Sequence, residues 1–384
     1  MTTSTGVHPM LLALLRGESG ESLARLAPAP DEWSALLEAA EHHALTPLLH
    51  RALVSTGAAD TLPPPARDAL AERAAGVAAR NLLFADELNE ILTLAAQRSL
   101  CVAPLRGFAL GERLHGDASV RPMGDLDLLV RKHELDAMTV LLRERGYEEI
   151  DRRPGFARAF SYTLEFAKHR HGWMIVEPHW TIAYPPFGER VAMDRVWRRC
   201  QRGAVAGVET WRLASADLLL HLCLHATHKG AHAPLLWLYE IDRLVRRESA
   251  ALDWLTFVAE AEAAAMTTLI APVINIVCNL LYTPVPPGVR DTLGRPPAQA
   301  RDRWLARLAA PESRADGRES LAALFALPTF GQRARYVGSL LFPSRRFMAI
   351  EYGSVGRGAL LAAYARRVRF ISSHAVKGLA RLFF

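Results

Sequence analysis

Apolar residues recur every three or four positions through the first hundred residues. Trp33, Leu36, Leu37, Ala40, His43 and Ala44 fall on one face of a helix, the spacing of an amphipathic segment packed on a core. Three consecutive prolines at 63–65 mark a loop. Beyond them Leu70, Val77, Leu82, Leu88, Ile91 and Leu92 predict a long helix over residues 66–97. The pattern changes near residue 99. A short apolar run at 101–105 predicts a strand, and 107–114 a helix opening directly after it. Alternation at 125–130 predicts a second strand. Residues 132–145 predict a helix stopped by Gly146. Further strands are expected at 160–167 and 173–179. After Pro185-Pro186 the helical period returns at 214–228, 234–248, 254–264 and 269–282. Residues 284–318 are rich in Pro, Arg, Asp and Gly and predict an exposed loop or a loose helix pair.

Strands and helices mixed within about 80 residues describe an α+β unit. The expected architecture is a small mixed β-sheet core at 99–212 with flanking helices. An N-terminal helical region, 1–98, and a C-terminal helical region, 213–384, enclose it. No internal repeat is evident.

Composition agrees with a helix-rich globular chain: 50% of its 384 residues are hydrophobic, which excludes a disordered polymer. A net charge of +6 and a pI near 9.3 suit a polyanionic partner such as a nucleotide, RNA or anionic lipid. An arginine-rich composition gives the same balance without any such partner. The four cysteines, Cys101, Cys200, Cys223 and Cys278, form no CxxC pair, which argues against a zinc knuckle and fits a reducing cytoplasm. The apolar run at 10–15 is short and lacks a basic leader. No stretch approaches the roughly 18 apolar residues of a membrane span. A cytoplasmic protein without a transmembrane segment is expected.

The candidate chemistry lies in Gly124-Asp125-Leu126-Asp127-Leu128-Leu129-Val130. Side chains alternate faces along a strand, so Asp125 and Asp127 share one face and Leu126 and Leu128 the other. Neighbouring carboxylates repel unless a cation lies between them. Mg²⁺, which takes one or two carboxylates plus substrate phosphates, suits such a pair. Taken alone, the same spacing also describes a solvated edge strand. Glu177, at the end of the apolar run 173–179, is the candidate third carboxylate of a two-metal site. Upstream, Arg106-Gly107 stands where a strand gives way to a helix. Free N–H groups at a helix start bind phosphate, and Arg106 and Arg121 add cations for a triphosphate.

Arg106-Gly107, the segment from Arg121 to Val130, and Glu177-Pro178-His179-Trp180 together resemble the polymerase-β-like nucleotidyltransferase superfamily. They are more narrowly similar to an uncharacterised bacterial nucleotidyltransferase family within it. The resemblance implies Mg²⁺-dependent transfer of a nucleoside monophosphate from a nucleoside triphosphate to an acceptor, with release of pyrophosphate. It implies that Asp125, Asp127 and Glu177 are the catalytic and metal-binding carboxylates. Glu177 would bind the catalytic metal and help deprotonate the acceptor hydroxyl. Arg106, Gly107, Arg121, Gly124 and His179 are the expected substrate-binding residues. The acceptor, whether small molecule, protein or RNA, is left open. The superfamily's usual Gly-Ser at the helix start is absent: Arg106-Gly107-Phe108 stands in its place. A catalytically silent nucleotide-binding or scaffold protein retaining the fold is the alternative.

His221, His225, His228 and His232 recur at helical spacing. They are expected to be packing or polar-edge residues, the alternative being that they line the cleft facing the carboxylates. Without HExxH they argue little for zinc. Glu240 and Asp242 read as solvated helix charges. The basic, amphipathic C-terminus carries Arg366, Arg367, Arg369, Lys377 and Arg381 among apolar residues. It is expected to dock on the protein's own core, with membrane-surface contact as the weaker reading.

Overall fold

The computed structural model of the chain describes residues 7–29, 31–150, 153–170, 172–227, 233–297, 299–308, 318–353 and 356–383. Five helices precede the sheet: α1 (Pro9–Arg16), α2 (Gly20–Arg25), α3 (Trp33–His42), α4 (Thr46–Ser55) and α5 (Pro64–Gln97). Proline opens α5 at a position where its missing N–H has no helical partner to lose. The middle of the chain then runs β1 (Val102–Pro104), α6 (Phe108–Leu110), β2 (Leu126–Val130), α7 (Leu135–Glu144), β3 (Glu148–Glu149), α8 (Phe156–Phe160), β4 (Phe166–His169), β5 (Trp173–His179), α9 (Met193–Arg199), β6 (Gln201–Val205) and β7 (Val208–Arg212). Among the described residues ten helices follow: α10 (Ser215–Thr227), α11 (Leu235–Arg247), α12 (Trp254–Ala263), α13 (Thr267–Leu281), α14 (Pro287–Leu293), α15 (Ala300–Leu308), α16 (Arg318–Ala326), α17 (Phe330–Leu341), α18 (Arg345–Tyr352) and α19 (Arg357–Phe383).

The protein is α+β. Its five-stranded sheet has the order β1-β2-β5-β4-β3. The central pair, β2 and β5, is parallel, and the other pairs are antiparallel. Alternation along β2 divides its residues between two cores. Leu126, Leu128 and Val130 pack with Phe84, Leu88, Ile91 and Leu92 of α5 and with Met138, Leu141 and Leu142 of α7. Leu129 belongs to the other core, which joins Met10 and Leu11 of α1 to Leu219 of α10, Ile241 of α11 and Ile270 of α13. The N-terminal helices and α10–α13 thus share one layer, and Arg16 Nε donates to Leu280 O across it at 3.0 Å. Buried Glu87 of α5 takes Lys168 Nζ of β4 at 2.5 Å, which pins α5 across the sheet.

Several expectations change in detail. The helix expected at 107–114 is one turn, α6, running into a π-helical turn over Gly111–His115. A Cβ on Gly111 would stand 2.6 Å from Ala118 Cα, so this close crossing requires glycine. The strand expected at 160–167 begins only at Phe166, because Phe156–Phe160 forms α8. Of the exposed loop or loose helix pair expected at 284–318, the described residues form two helices, α14 and α15. The β6–β7 hairpin was not foreseen. Its two-residue turn places both Ala206 (φ 50°) and Gly207 (φ 76°) at positive φ, as a type I′ turn demands.

The C-terminal helix docks on its own chain. Tyr364 Oη donates to Pro343 O at 2.6 Å and Arg367 Nε to Leu340 O at 2.6 Å. The Arg367 guanidinium lies 4.6 Å over the Phe347 ring, so this arginine is buried rather than solvated. No helix among the described residues is long and apolar enough to cross a membrane.

Candidate active site

The parallel register of β2 and β5 builds the site. Asp127 pairs with Glu177, and Leu129 with His179. Neighbouring strands run about 4.8 Å apart with like-facing side chains in step, so Asp127 and Glu177 lie side by side with His179 two residues on. Asp127, Glu177 and His179 each offer a ligand atom, and these atoms lie within 4.8 Å of one another. That is close enough to share one cation. Asp125 precedes the first paired residue of β2 and is not part of this closest group. Among the expected carboxylates, the structure therefore pairs Asp127 with Glu177 most tightly and adds His179. Asp125 stands near enough to feel both negative charges.

Each carboxylate has a distinct environment. Asp127 is 4% exposed. Its Oδ1 lies 2.9 Å from His179 Nε2, and its Oδ2 accepts from Arg106 Nη2 at 2.7 Å. Burial would raise its pKa, but Arg106 and His179 outweigh burial and hold it well below the carboxylate range. Burial likewise opposes the charge on His179, while its hydrogen bonds to Asp127 and Glu177 hold its pKa above the ordinary value. Its Nδ1 is buried without a partner. Burial, followed by repulsion from Asp127, pushes Asp125 up to about 6. Glu177, with its side chain 25% exposed and 3.5 Å from His179 Nε2, is the more accessible member of the Asp127–Glu177 pair. A crowded carboxylate group with one member driven toward neutrality is what a divalent cation would relieve, so the donor set fits a divalent metal ion.

Arg106 reaches this group from the turn after β1. Gly107 follows it with φ 58° and ψ −123°, a conformation reserved for glycine. A Cβ there would meet nothing closer than 3.6 Å, so the requirement is conformational rather than steric. Gly124 is exposed just before β2.

Arg121 is placed differently from its expected role at a triphosphate. Its Nε donates to Glu240 Oε1 at 2.6 Å, its Nη2 to Glu240 Oε2 at 3.3 Å and its Nη1 to Pro122 O at 3.2 Å. Glu240 is 1% exposed. It is the buried counter-ion of Arg121, not a solvated helix charge. Asp242 is also buried, with Arg246 Nε at 2.8 Å and Thr283 Oγ1 at 2.8 Å. Asn81 of α5 fixes the same loop by donating to Ala118 O and Arg121 O, both at 2.8 Å.

The histidine helix faces the site. His225 stands against Arg106, with Nδ1 2.7 Å from Nη1. Burial, then the Arg106 charge, holds its pKa well below the ordinary value. His221 Nδ1 donates to Ile182 O at 2.9 Å, and burial lowers it to about 3. His228 and His232 lie outside the described residues. Tyr162 packs its ring 5.3 Å from that of His179. The sequence leaves His225 as an alternative cleft residue and gives no sign of Tyr162. The available signal was a pair of histidines inside the otherwise apolar α10.

A family model described as an uncharacterised nucleotidyltransferase matches residues 29–281, a span that takes in every residue of this site. The chain belongs to that nucleotidyltransferase family. As a nucleotidyltransferase it is an enzyme of the transferase class. Among solved structures, the solution structure of the antibiotic-resistance factor ANT(2'')-Ia is similar at 15% identity and a TM-score of 0.32, over 53% of this chain and 97% of that one. A likeness this loose transfers no residue role to the nucleotidyltransferase described here. No curated protein matches the chain.

Proposed function

We propose that this enzyme transfers a nucleoside monophosphate from a Mg²⁺-bound nucleoside triphosphate to a hydroxyl-bearing acceptor and releases pyrophosphate. The observation that carries the reading is the register that sets Asp127 against Glu177 on parallel strands, with His179 and Arg106 completing the group. A bound divalent cation would neutralise charge on the triphosphate and on the attacking oxygen.

The residues then take separate parts. Asp125, Asp127 and Glu177 form the carboxylate set that accepts the cation. Glu177, the accessible member of the central pair, receives the proton of the acceptor hydroxyl. The acceptor oxygen bonds to the α-phosphorus, the bridging bond to the β-phosphate breaks, and pyrophosphate departs. His179 holds the Asp127 and Glu177 carboxylates in place through Nε2. Arg106 receives the triphosphate, and Gly107 and Gly124 let backbone approach it without a side chain in the way. Catalysis is assigned to residues 99–212, with 1–98 and 213–384 closing around them. Four free cysteines support a reducing compartment such as the cytoplasm.

The test is pyrophosphate release with Mg²⁺ and each of the four nucleoside triphosphates, for the wild type and for Asp127→Asn. Nucleotide- and Mg²⁺-dependent release that Asp127→Asn abolishes is expected. Equal release by the variant would sink the assignment.

A further inference from the structure

The carboxylate group of the site already faces a cation that belongs to the protein. Arg106 spans Asp127, with Nη2 2.7 Å from Oδ2, and His225, whose Nδ1 and Nε2 both face its Nη1. Its side chain is 14% exposed, and its Nε is buried with no partner. Both oxygens of Asp127 are engaged, one by Arg106 and one by His179. An incoming metal ion would therefore compete with a guanidinium already seated on the central carboxylate. Guanidinium groups pair bidentately with phosphate oxygens, so a triphosphate offers Arg106 an alternative seat and satisfies its idle Nε. His225 carries a pKa driven well below 6.5 by burial and by Arg106 itself. It is a neutral acceptor that can hold the guanidinium but cannot replace its charge.

We propose that Arg106 is a resident counter-cation of the carboxylate group, positioned by His225, and that nucleotide binding draws it away. The enzyme then takes up its divalent metal together with the nucleotide and only weakly before it. This inference rests on the metal-dependent reading above but adds an order of assembly to it. It also accounts for a residue pattern in which Arg106-Gly107-Phe108 replaces a serine at the phosphate-facing turn. A serine could touch phosphate but could not neutralise Asp127.

Binding of Mn²⁺, followed by its electron paramagnetic resonance signal, tests this without turnover. The wild type is titrated alone and with each of the four α,β-methylene nucleoside triphosphates, which cannot be cleaved at the reacting bond. Arg106→Gln, Arg106→Lys, His225→Leu and His225→Gln are titrated in parallel, with thermal melts as a check on folding. The wild type should bind Mn²⁺ weakly alone and more tightly with an accepted nucleotide. Arg106→Gln should bind Mn²⁺ alone more tightly than the wild type by on the order of 10- to 100-fold, since a unit charge about 4 Å from a divalent ion repels it by that much even at the dielectric of water. The same variant should lose nucleotide affinity. Arg106→Lys keeps the charge and should keep the weak metal binding. His225→Leu should shift toward the Arg106→Gln behaviour, and His225→Gln, which retains an acceptor, should not. Equal Mn²⁺ affinity in the wild type and Arg106→Gln overturns the inference while leaving metal-dependent turnover intact as a separate measurement. Absence of Mn²⁺ binding in every protein, with nucleotide present, overturns both.

Discussion

Arg121 and Glu240 form a buried ion pair that sets the loop leading into β2, and its disruption can be sized. Arg121 is 5% exposed and Glu240 1% exposed. The contacts are bidentate, at 2.6 and 3.3 Å. Arg121→Met leaves the Glu240 carboxylate charged and unpaired in the interior. Removing one partner of such a pair costs about 3–5 kcal/mol. In a chain of this size that loss corresponds to a fall in melting temperature of roughly 4–6 °C. Glu240→Leu alone should cost a similar amount by stranding the guanidinium. The double variant Arg121→Met/Glu240→Leu replaces the pair by apolar volume, and such exchanges are neutral or stabilising. It should therefore recover most of the loss, a strong positive coupling in a double-mutant cycle. The assay is urea unfolding followed by tryptophan fluorescence, with nucleotide affinity measured on the same proteins. Recovered stability with unchanged nucleotide affinity marks Arg121 as a strut. A double variant as unstable as the sum of the singles would refute the pairing argument. Restored stability with lost nucleotide binding would return Arg121 to the triphosphate.

Three further outcomes follow from the geometry. Gly107→Ala should destabilise the chain by about 1–3 kcal/mol, since alanine is strained at φ 58°, ψ −123°; a variant as stable as the wild type in urea would show that the turn adapts. Asn81→Ala removes two buried hydrogen bonds from the 118–121 loop and should cost about 1–3 kcal/mol, with faster hydrogen exchange at the amides of that loop as a second readout. His221 is held neutral, its pKa lowered by burial to about 3 against 6.5 when exposed. The unfolded chain therefore takes up a proton that the folded chain refuses. Its contribution is complete above about pH 6.5 and falls as the pH drops toward 3, by about 2 kcal/mol at pH 5. Stability should be measured across that window for the wild type and His221→Leu; parallel profiles for the two would exclude His221 as the source.

Local patterns made much of this molecule legible in its sequence. The apolar run from Trp173 to Val176, leading into Glu177-Pro178-His179, marked β5 with its observed limits. What the sequence could not show was non-local. The pairing of Asp127 with Glu177, 50 residues apart, was expected from the resemblance without its parallel register, and the Arg121–Glu240 bond spans 119 residues. No spacing rule connects either pair, so Arg121 looked free for phosphate and Glu240 looked solvated. The β6–β7 hairpin escaped notice because Ala206 occupies a positive-φ position where Asn or Gly is the usual signal. His225 resembled a packing residue because its partner, Arg106, lies 119 positions upstream.

The account turns on one cation site framed by β2 and β5. Crystals grown with Mn²⁺ and an α,β-methylene nucleoside triphosphate would test it most directly through the anomalous scattering of the metal. An anomalous peak bonded to Asp127 and Glu177 is expected, with the triphosphate beside Arg106 and the Arg106–Asp127 contact opened. A nucleotide and metal bound elsewhere, with Asp127 still paired to Arg106, would contradict it.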